Sequence, residues 1–367
     1  MISVLDPLHR WASGLVGLVL AVLGLSGALE VHKDAWLRAT LPHAADARID
    51  AIPATAAALD RLFVAAAMPR AVVLASETLG GHIVRFKDEG GAYADQSGAI
   101  VAQWSAPADR LETWLFDLHH HLLAGETGEI IAGVVGLVGL VFVISGSILW
   151  WRTRRSFRLH ALPARLTAPA VRRHHRDLGI VAAPLLVMAM LTGAMMIFKP
   201  VAALVLAPFS SRAAMQAASA PPIARGGALA KNPDWLAMLT AANQRFPDAE
   251  PRVVILPRKS GDLLSLRVRQ PGEWLPNGRT ILWFDAADMR LVGVNDALRA
   301  PTGMRLYNMV FPLHAAKVGG FAYRLVMTAA GLALFLLGSL TVVTFWRGVG
   351  AKRRLRKPVA APATQSA

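Results

Sequence analysis

Long apolar runs alternate with mixed stretches along this chain. Four runs approach the ~20 residues that a helix needs to cross a hydrocarbon core. They are roughly Trp11–Val31, Ile130–Trp151, Gly179–Lys199 and Ala322–Trp346. The first is long for a leader's apolar region and no clear small-residue cleavage site follows, so it is read as a retained span. Gly14, Gly17, Gly24 and Gly27 run along it and permit close helix packing. Pro184 and Pro200 predict a kink and an end for the third.

Between the runs the period changes. Ala54–Ala67 reads as a helix, followed by strand-like Arg70–Ala75, His82–Phe86 and Tyr93–Val101, the last folded at Asp95-Gln-Ser-Gly98. After the third run, Phe209–Ala230 has the composition of a flexible link. Trp235–Phe246 is again helical, and Arg252–Leu256, Leu264–Arg269, Thr280–Asp285 and Arg290–Val294 read as strands. Pro276-Asn277-Gly278 is a turn signal before the third of these. Pro358–Ala367 reads as disordered.

The two halves share a register. One shift of 195 positions carries Leu118-His119 onto Leu313-His314, Gly125 onto Gly320, Gly136 onto Gly331, and Trp151-Arg152 onto Trp346-Arg347. His9-Arg10 with Ser26-Gly27-Ala28 matches His175-Arg176 with Thr192-Gly193-Ala194 at equal spacing. Such repeats usually mean helices related by symmetry with a site between them.

The predicted fold is a four-helix transmembrane bundle built as two matched halves, with two small α+β modules outside the membrane. Its parts are a cytoplasmic N-terminus and first span (1–31), a first module (32–117), and a second span with an outer helical extension (118–152). An Arg-rich loop (153–174) and third span (175–200) follow, then a linker with the second module (201–312). The fourth span with its outer extension (313–347) and a basic tail (348–367) complete the chain.

The net charge of +15 raises the question of nucleic acid, but the excess lies beside the spans. Arg152, Arg154, Arg155, Arg158, Arg165, Arg172, Arg173 and Arg176 fill one loop, and Lys352, Arg353, Arg354, Arg356 and Lys357 the tail. Positive-inside topology explains both and places the two termini in the cytoplasm, so no nucleic-acid partner is expected. The chain has no cysteine. That excludes disulfides, thiolate metal sites, iron–sulfur clusters and covalently attached haem. No phosphate-binding glycine loop, HExxH or serine nucleophile elbow is present, so a reductase of this sequence would draw its electrons from elsewhere.

The histidines carry the candidate chemistry. A lone histidine beside a span commonly faces headgroups; matched registers argue for more. His9 and His175 fall at one end of their spans, His119 and His314 at the other. Two histidines at each level suit two bis-histidine b-type haems stacked across a bilayer. A His-bound zinc or copper ion is the alternative, for which the outer pair could recruit His120, His121 or His32. His120 or His121 could also replace His119 as ligand, and His174 competes with His175. Arg10 and Arg176 suit either haem propionates or headgroup anchoring. Met188, Met190, Met195 and Met196 are read as packing, and His32, His43, His82 and His160 as surface residues.

These residues resemble the PepSY-associated transmembrane family over about residues 6–350. The likeness rests on His9-Arg10-Trp11 with Leu25-Ser26-Gly27, on Leu118-His119 through Gly128 with Ser145-Gly146 and Trp150-Trp151, and on His175-Arg176 with Leu191-Thr192-Gly193. Pro312-Leu313-His314 and Pro276-Asn277-Gly278-Arg279 are similar to further family patterns. The resemblance implies PepSY-like outer modules and an inner-membrane protein of iron uptake, such as the diheme ferric-siderophore reductases. It thus implies a ferric siderophore as substrate, an electron donor outside the chain, and membrane lipid around it. A haem-free membrane-tethered protein that captures peptides or regulates a peptidase is the other reading.

Overall fold

The computed structural model describes residues 2–49, 51–65, 69–87, 90–160 and 162–355. Four long apolar helices form the bundle: α1 (Ile2–Glu30), α5 (Gly125–Thr153), α6 (Ala168–Ile197) and α11 (Gly320–Leu355). Four stretches are long and apolar enough to span a membrane: Asp6–Glu30 in α1, Gly125–Ser156, which runs from α5 through the short 3-10 turn after it, Ala168–Ile197 in α6 and Gly320–Gly348 in α11. α1 packs along α11 and α5 along α6, while α1–α5 and α6–α11 contacts close the ring. Leu20, Val135, Leu186, Met190 and Leu337 fill its centre. Glycines set the α1–α11 crossing: a Cβ on Gly24 would lie 2.7 Å from the Gly331 carbonyl oxygen, one on Gly331 2.6 Å from that of Gly24, and one on Gly338 would collide with that of Gly17. Only backbones without side chains can approach this closely.

After α1 come α2 (Lys33–Thr40), α3 (Ile52–Ala65), β1 (Ala71–Val73), β2 (His82–Arg85), β3 (Gly91–Ala94), β4 (Ile100–Trp104) and α4 (Leu111–His121). After α6 come α7 (Lys199–Leu206), α8 (Arg212–Ser219), α9 (Trp235–Arg245) and β5 (Glu250–Ile255). The chain continues through β6 (Leu264–Arg269), β7 (Thr280–Phe284), β8 (Leu291–Asn295) and α10 (Thr302–His314). Among the described residues, eight strands form one antiparallel sheet, ordered β4-β3-β2-β1-β5-β6-β7-β8. The two segments therefore do not fold as separate modules. They meet where β1 pairs with β5, Val72 opposite Val254.

Alternation explains the shared core: Leu264, Leu266 and Val268 on β6, and Leu282 and Phe284 on β7, point to the face covered by Leu59 and Leu62 of α3 and Trp235, Met238 and Leu239 of α9. Each such side chain, fully buried, contributes roughly 1.5–3 kcal/mol. Arg252 crosses the seam almost fully buried, donating to the carbonyl of Ala75 at 2.7 Å and to Asn277 Oδ1 at 3.1 Å.

Three further differences from the sequence-based expectations concern local structure, and the first of them shapes the site. Segments 118–152 and 313–347 are not single helices with outer extensions. The first breaks between α4 and α5, where Leu122, Leu123 and Gly125 take φ of 49°, 58° and 57°. The second breaks between α10 and α11, with Ala316, Gly319 and Gly320 at 50°, 68° and 62°. Within the expected link, Arg212–Ser219 is helical, capped by Ser211 Oγ accepting from the Ala214 amide at 3.2 Å. His82 is not a surface residue but 3% exposed, and His32 lies within 2.9 Å of Thr328 Oγ1. The expectations for residues 66–67, Arg356, Lys357 and 358–367 lie outside the described residues.

Candidate cofactor site

The chain reversals after α4 and α10 fold the ends of these helices back against the bundle. His119, near the end of α4, lies on α1 beside Ser26 and Gly27. His314, the last residue of α10, lies on α6 beside Ala189, Thr192 and Gly193. The two rings face each other with centroids 6.1 Å apart and planes at 49°. At the other end, His9 of α1 and His175 of α6 have centroids 6.3 Å apart and planes at 78°. The rise along α6 from His175 to Gly193 is ~27 Å, so the pairs sit at opposite levels.

An unbroken helix from His119 to Trp151 would hold the outer pair at or beyond the outer interface unless Gly125 and Gly128 break it, and the chain does break, between Leu122 and Gly125. Ser26 is four residues before the end of α1, ~6 Å inside it.

Hydrogen bonds orient all four rings through Nδ1. Ser145 Oγ lies 2.8 Å from the Val141 carbonyl and 2.8 Å from His9 Nδ1. Ser26 Oγ lies 2.8 Å from the Val22 carbonyl and 3.0 Å from His119 Nδ1. Thr341 Oγ1 lies 2.6 Å from the Leu337 carbonyl and 2.9 Å from His175 Nδ1. Thr192 Oγ1 donates to the Met188 carbonyl at 2.6 Å, and His314 Nδ1–H is shared between Thr192 Oγ1 at 3.1 Å and the Ala189 carbonyl at 3.0 Å. A carbonyl only accepts, so Nδ1 of His314 carries the proton. With the hydroxyl proton directed to the backbone carbonyl, the other three rings take the same tautomer, which leaves Nε2 with a lone pair, the state of a ligating imidazole oriented by its second nitrogen.

These residues fit haem. A metal held by two Nε2 atoms at ~2 Å each would keep the ring centroids roughly 6 Å apart, because each centroid lies ~1 Å behind its nitrogen. Missing side chains make the room: a Cβ on Gly27 would stand 2.9 Å from His119 Cε1, and one on Gly193 3.2 Å from His314 Cε1. The inner pair lines a cavity of about 990 Å³ that runs inward past Gly17, Gly139 and Gly338 to Met190. That is the size range of a cofactor pocket.

The remaining candidates divide. His120 lies 3.9 Å from Glu129, and His121 lies 2.8 Å from Asp117. His174 is buried but does not line the cavity. Arg10 is exposed at the cavity rim. Arg176 also lines it, yet its guanidinium is engaged by buried Asp177 at 2.7 and 2.9 Å and by Ser156 Oγ at 2.8 Å. Of the four hydroxyl partners, Ser26, Ser145 and Thr192 stand in the sequence motifs without a role read for them, and Thr341 has no sequence signal. Ser26, Ser145 and Thr192 each directly precede a glycine, a signal that could have found three of them.

Fold and site together define a multi-pass membrane protein with paired histidines between its spans. The chain belongs to the family of the PepSY-associated TM region, whose profile matches residues 7–348. No curated protein matches it significantly.

Proposed function

We propose that this is a bacterial inner-membrane electron-transfer protein that holds two non-covalent b-type haems and reduces a ferric chelate, with ferric siderophores as the substrate class. The observation that carries the reading is the two-level arrangement of facing imidazoles, each with Nδ1 hydrogen-bonded to a hydroxyl. Haem, when bound, supplies reversible one-electron chemistry at its iron. His9 with His175, and His119 with His314, would hold the two groups. Ser145, Thr341, Ser26 and Thr192 orient the rings and raise their basicity.

The matched registers and the eight-stranded order, with β1 and β5 at its centre, support two PepSY-like halves related by an internal two-fold axis. Arg152, Arg154, Arg155 and Arg158 lie at the bundle end opposite the sheet, which argues for a cytoplasmic Arg-rich end and cytoplasmic termini. Electrons would enter there from an unidentified donor. The chelate would meet the sheet side, where one electron converts Fe(III) to Fe(II) and weakens its hold on hard oxygen ligands.

The visible spectrum of the purified protein tests this. A Soret band, a b-type α band on reduction, and two haems per chain by pyridine haemochrome are expected. His9→Ala or His175→Ala should each remove one haem, and His119→Ala or His314→Ala the other. A colourless protein refutes the reading and favours a haem-free peptide-binding role. Coloured protein whose reduced form ignores both hydroxamate and catecholate chelates refutes the substrate class.

A further inference from the structure

Outside the paired histidines, a group of side chains of metal-ligand type lies where α4 turns back into α5. The left-handed residues Leu122, Leu123 and Gly125 reverse the chain, so the last turn of α4 faces the first turns of α5. Gly128 lets the packing close, since a Cβ there would collide with the carbonyl of His121. His120, His121 and Glu129 each bring one donor atom into a cluster whose members all lie within 4.8 Å of one another.

Consecutive helical residues point ~100° apart, so His119 can face α1 while His120 and His121 face α5. His120 Nε2 stands 3.9 Å from Glu129 Oε1, too far for a hydrogen bond, and its Nδ1 is buried without a partner. His121 Nδ1 lies 2.8 Å from Asp117 Oδ1. That is the carboxylate–imidazole arrangement in which the carboxylate orients the ring and leaves Nε2 to bind.

We infer that His120, His121 and Glu129 form a site for a divalent first-row transition-metal ion of the Fe(II) or Zn(II) type, with Asp117 as positioning residue. Two imidazoles and one carboxylate suit such ions and leave coordination positions open. Calcium and magnesium require more oxygen ligands than this cluster offers. Ligands held ~2 Å from one ion are roughly 3–4 Å apart, so the present cluster needs only rotamer-scale contraction. The side chains are about one-third exposed, open enough for an ion to exchange. If the reductase reading holds, Fe(II) leaving its chelate would meet this site beside the outer histidine pair. That role rests on the proposed function; the site itself does not.

The test uses full-length protein in detergent, stripped with chelator and titrated with Co(II). Expected are one Co(II) per chain, visible d–d bands of a four- or five-coordinate ion, and displacement by Zn(II). Glu129→Gln, similar in size, and His120→Ala should each weaken binding at least a hundredfold. Asp117→Asn should weaken it ten- to a hundredfold. X-ray absorption of the Zn(II)-loaded unaltered protein, which needs no variant, should show a nitrogen and oxygen shell with imidazole scattering. No saturable Co(II) binding, unchanged affinity in Glu129→Gln, or a shell without imidazole overturns the inference. Haem is quantified in the same samples. A haem-free chain that still binds one Co(II) refutes the reductase reading and leaves this site standing.

Discussion

Three glycines that face the paired histidines form a graded series. Replacing each with alanine adds the same methyl group, and the helix-propensity gain of up to ~1 kcal/mol is nearly equal at all three sites, so the ranking depends on space alone. At Gly27 the new Cβ would lie 2.9 Å from His119 Cε1 and 3.4 Å from its Nδ1. The ring cannot turn away without losing its 3.0 Å bond to Ser26. At Gly193 the distance to His314 Cε1 is 3.2 Å, a crowding that a shift of a few tenths of an ångström relieves. At Gly146 the Cβ would sit 3.6 Å from His9 Cε1, ordinary van der Waals contact. Overpacking costs about 1–3 kcal/mol, or roughly 5- to 100-fold in an equilibrium constant at ~1.4 kcal/mol per tenfold. Gly27→Ala should therefore lose haem from the outer pair by that factor, Gly193→Ala by about tenfold or less, and Gly146→Ala should stay within about twofold. Haem retained per chain during competition with an apo-globin scavenger measures all three. Equal losses, or Gly146→Ala ranking worst, would refute the assignment of these glycines as clearance for the rings.

The hydroxyl partners give a second set: Ser145→Ala and Thr341→Val should weaken haem retention at the inner pair about 10- to 100-fold, and Ser26→Ala and Thr192→Val at the outer pair. Full retention in all four variants, by the same competition, contradicts the role of these hydroxyls in orienting the rings. Reporter fusions at Ser97 and Gly261 should be active only as exported enzymes and a fusion at Arg165 only as a cytoplasmic one; the reverse pattern inverts the topology. The sheet should also lose stability in acid through His82, whose pKa is lowered to about 4 by burial. The unfolded chain binds this proton more readily, with a pKa near 6.5, so the contribution is complete above pH ~6.5 and fades as pH falls toward 4. It is of order 3 kcal/mol at most. Thermal melts of the protein and of His82→Phe should diverge across that window; parallel slopes would exclude His82 as the cause.

The four spans and the pairing of His9 with His175 and of His119 with His314 were legible because both are periodic properties. A run of apolar residues announces a span, and a repeat in register announces which histidines occupy equivalent positions. The strands were legible for the same reason, through alternation at Leu264–Arg269 and Thr280–Phe284. The single sheet was not, since Val72 and Val254 are distant in the chain and neither signals that its strand edge meets the other. His82 reads as polar, yet it is buried with Nδ1 accepting from the Ala75 amide at 3.0 Å. Gly125 and Gly128 allow a break before α5, but several residues that make the two turns do not announce them. Leu122, Leu123 and Ala316 give no turn signal, and a left-handed conformation in such residues costs about 1–2 kcal/mol each. Tertiary contacts offset that cost: the reversals bring His119 to Ser26 and His314 to Thr192. Along an unbroken helix, His119 would stand ~9 Å beyond Gly125, outside the bundle. The depth of the outer pair is therefore set by the turns and not by the length of the spans.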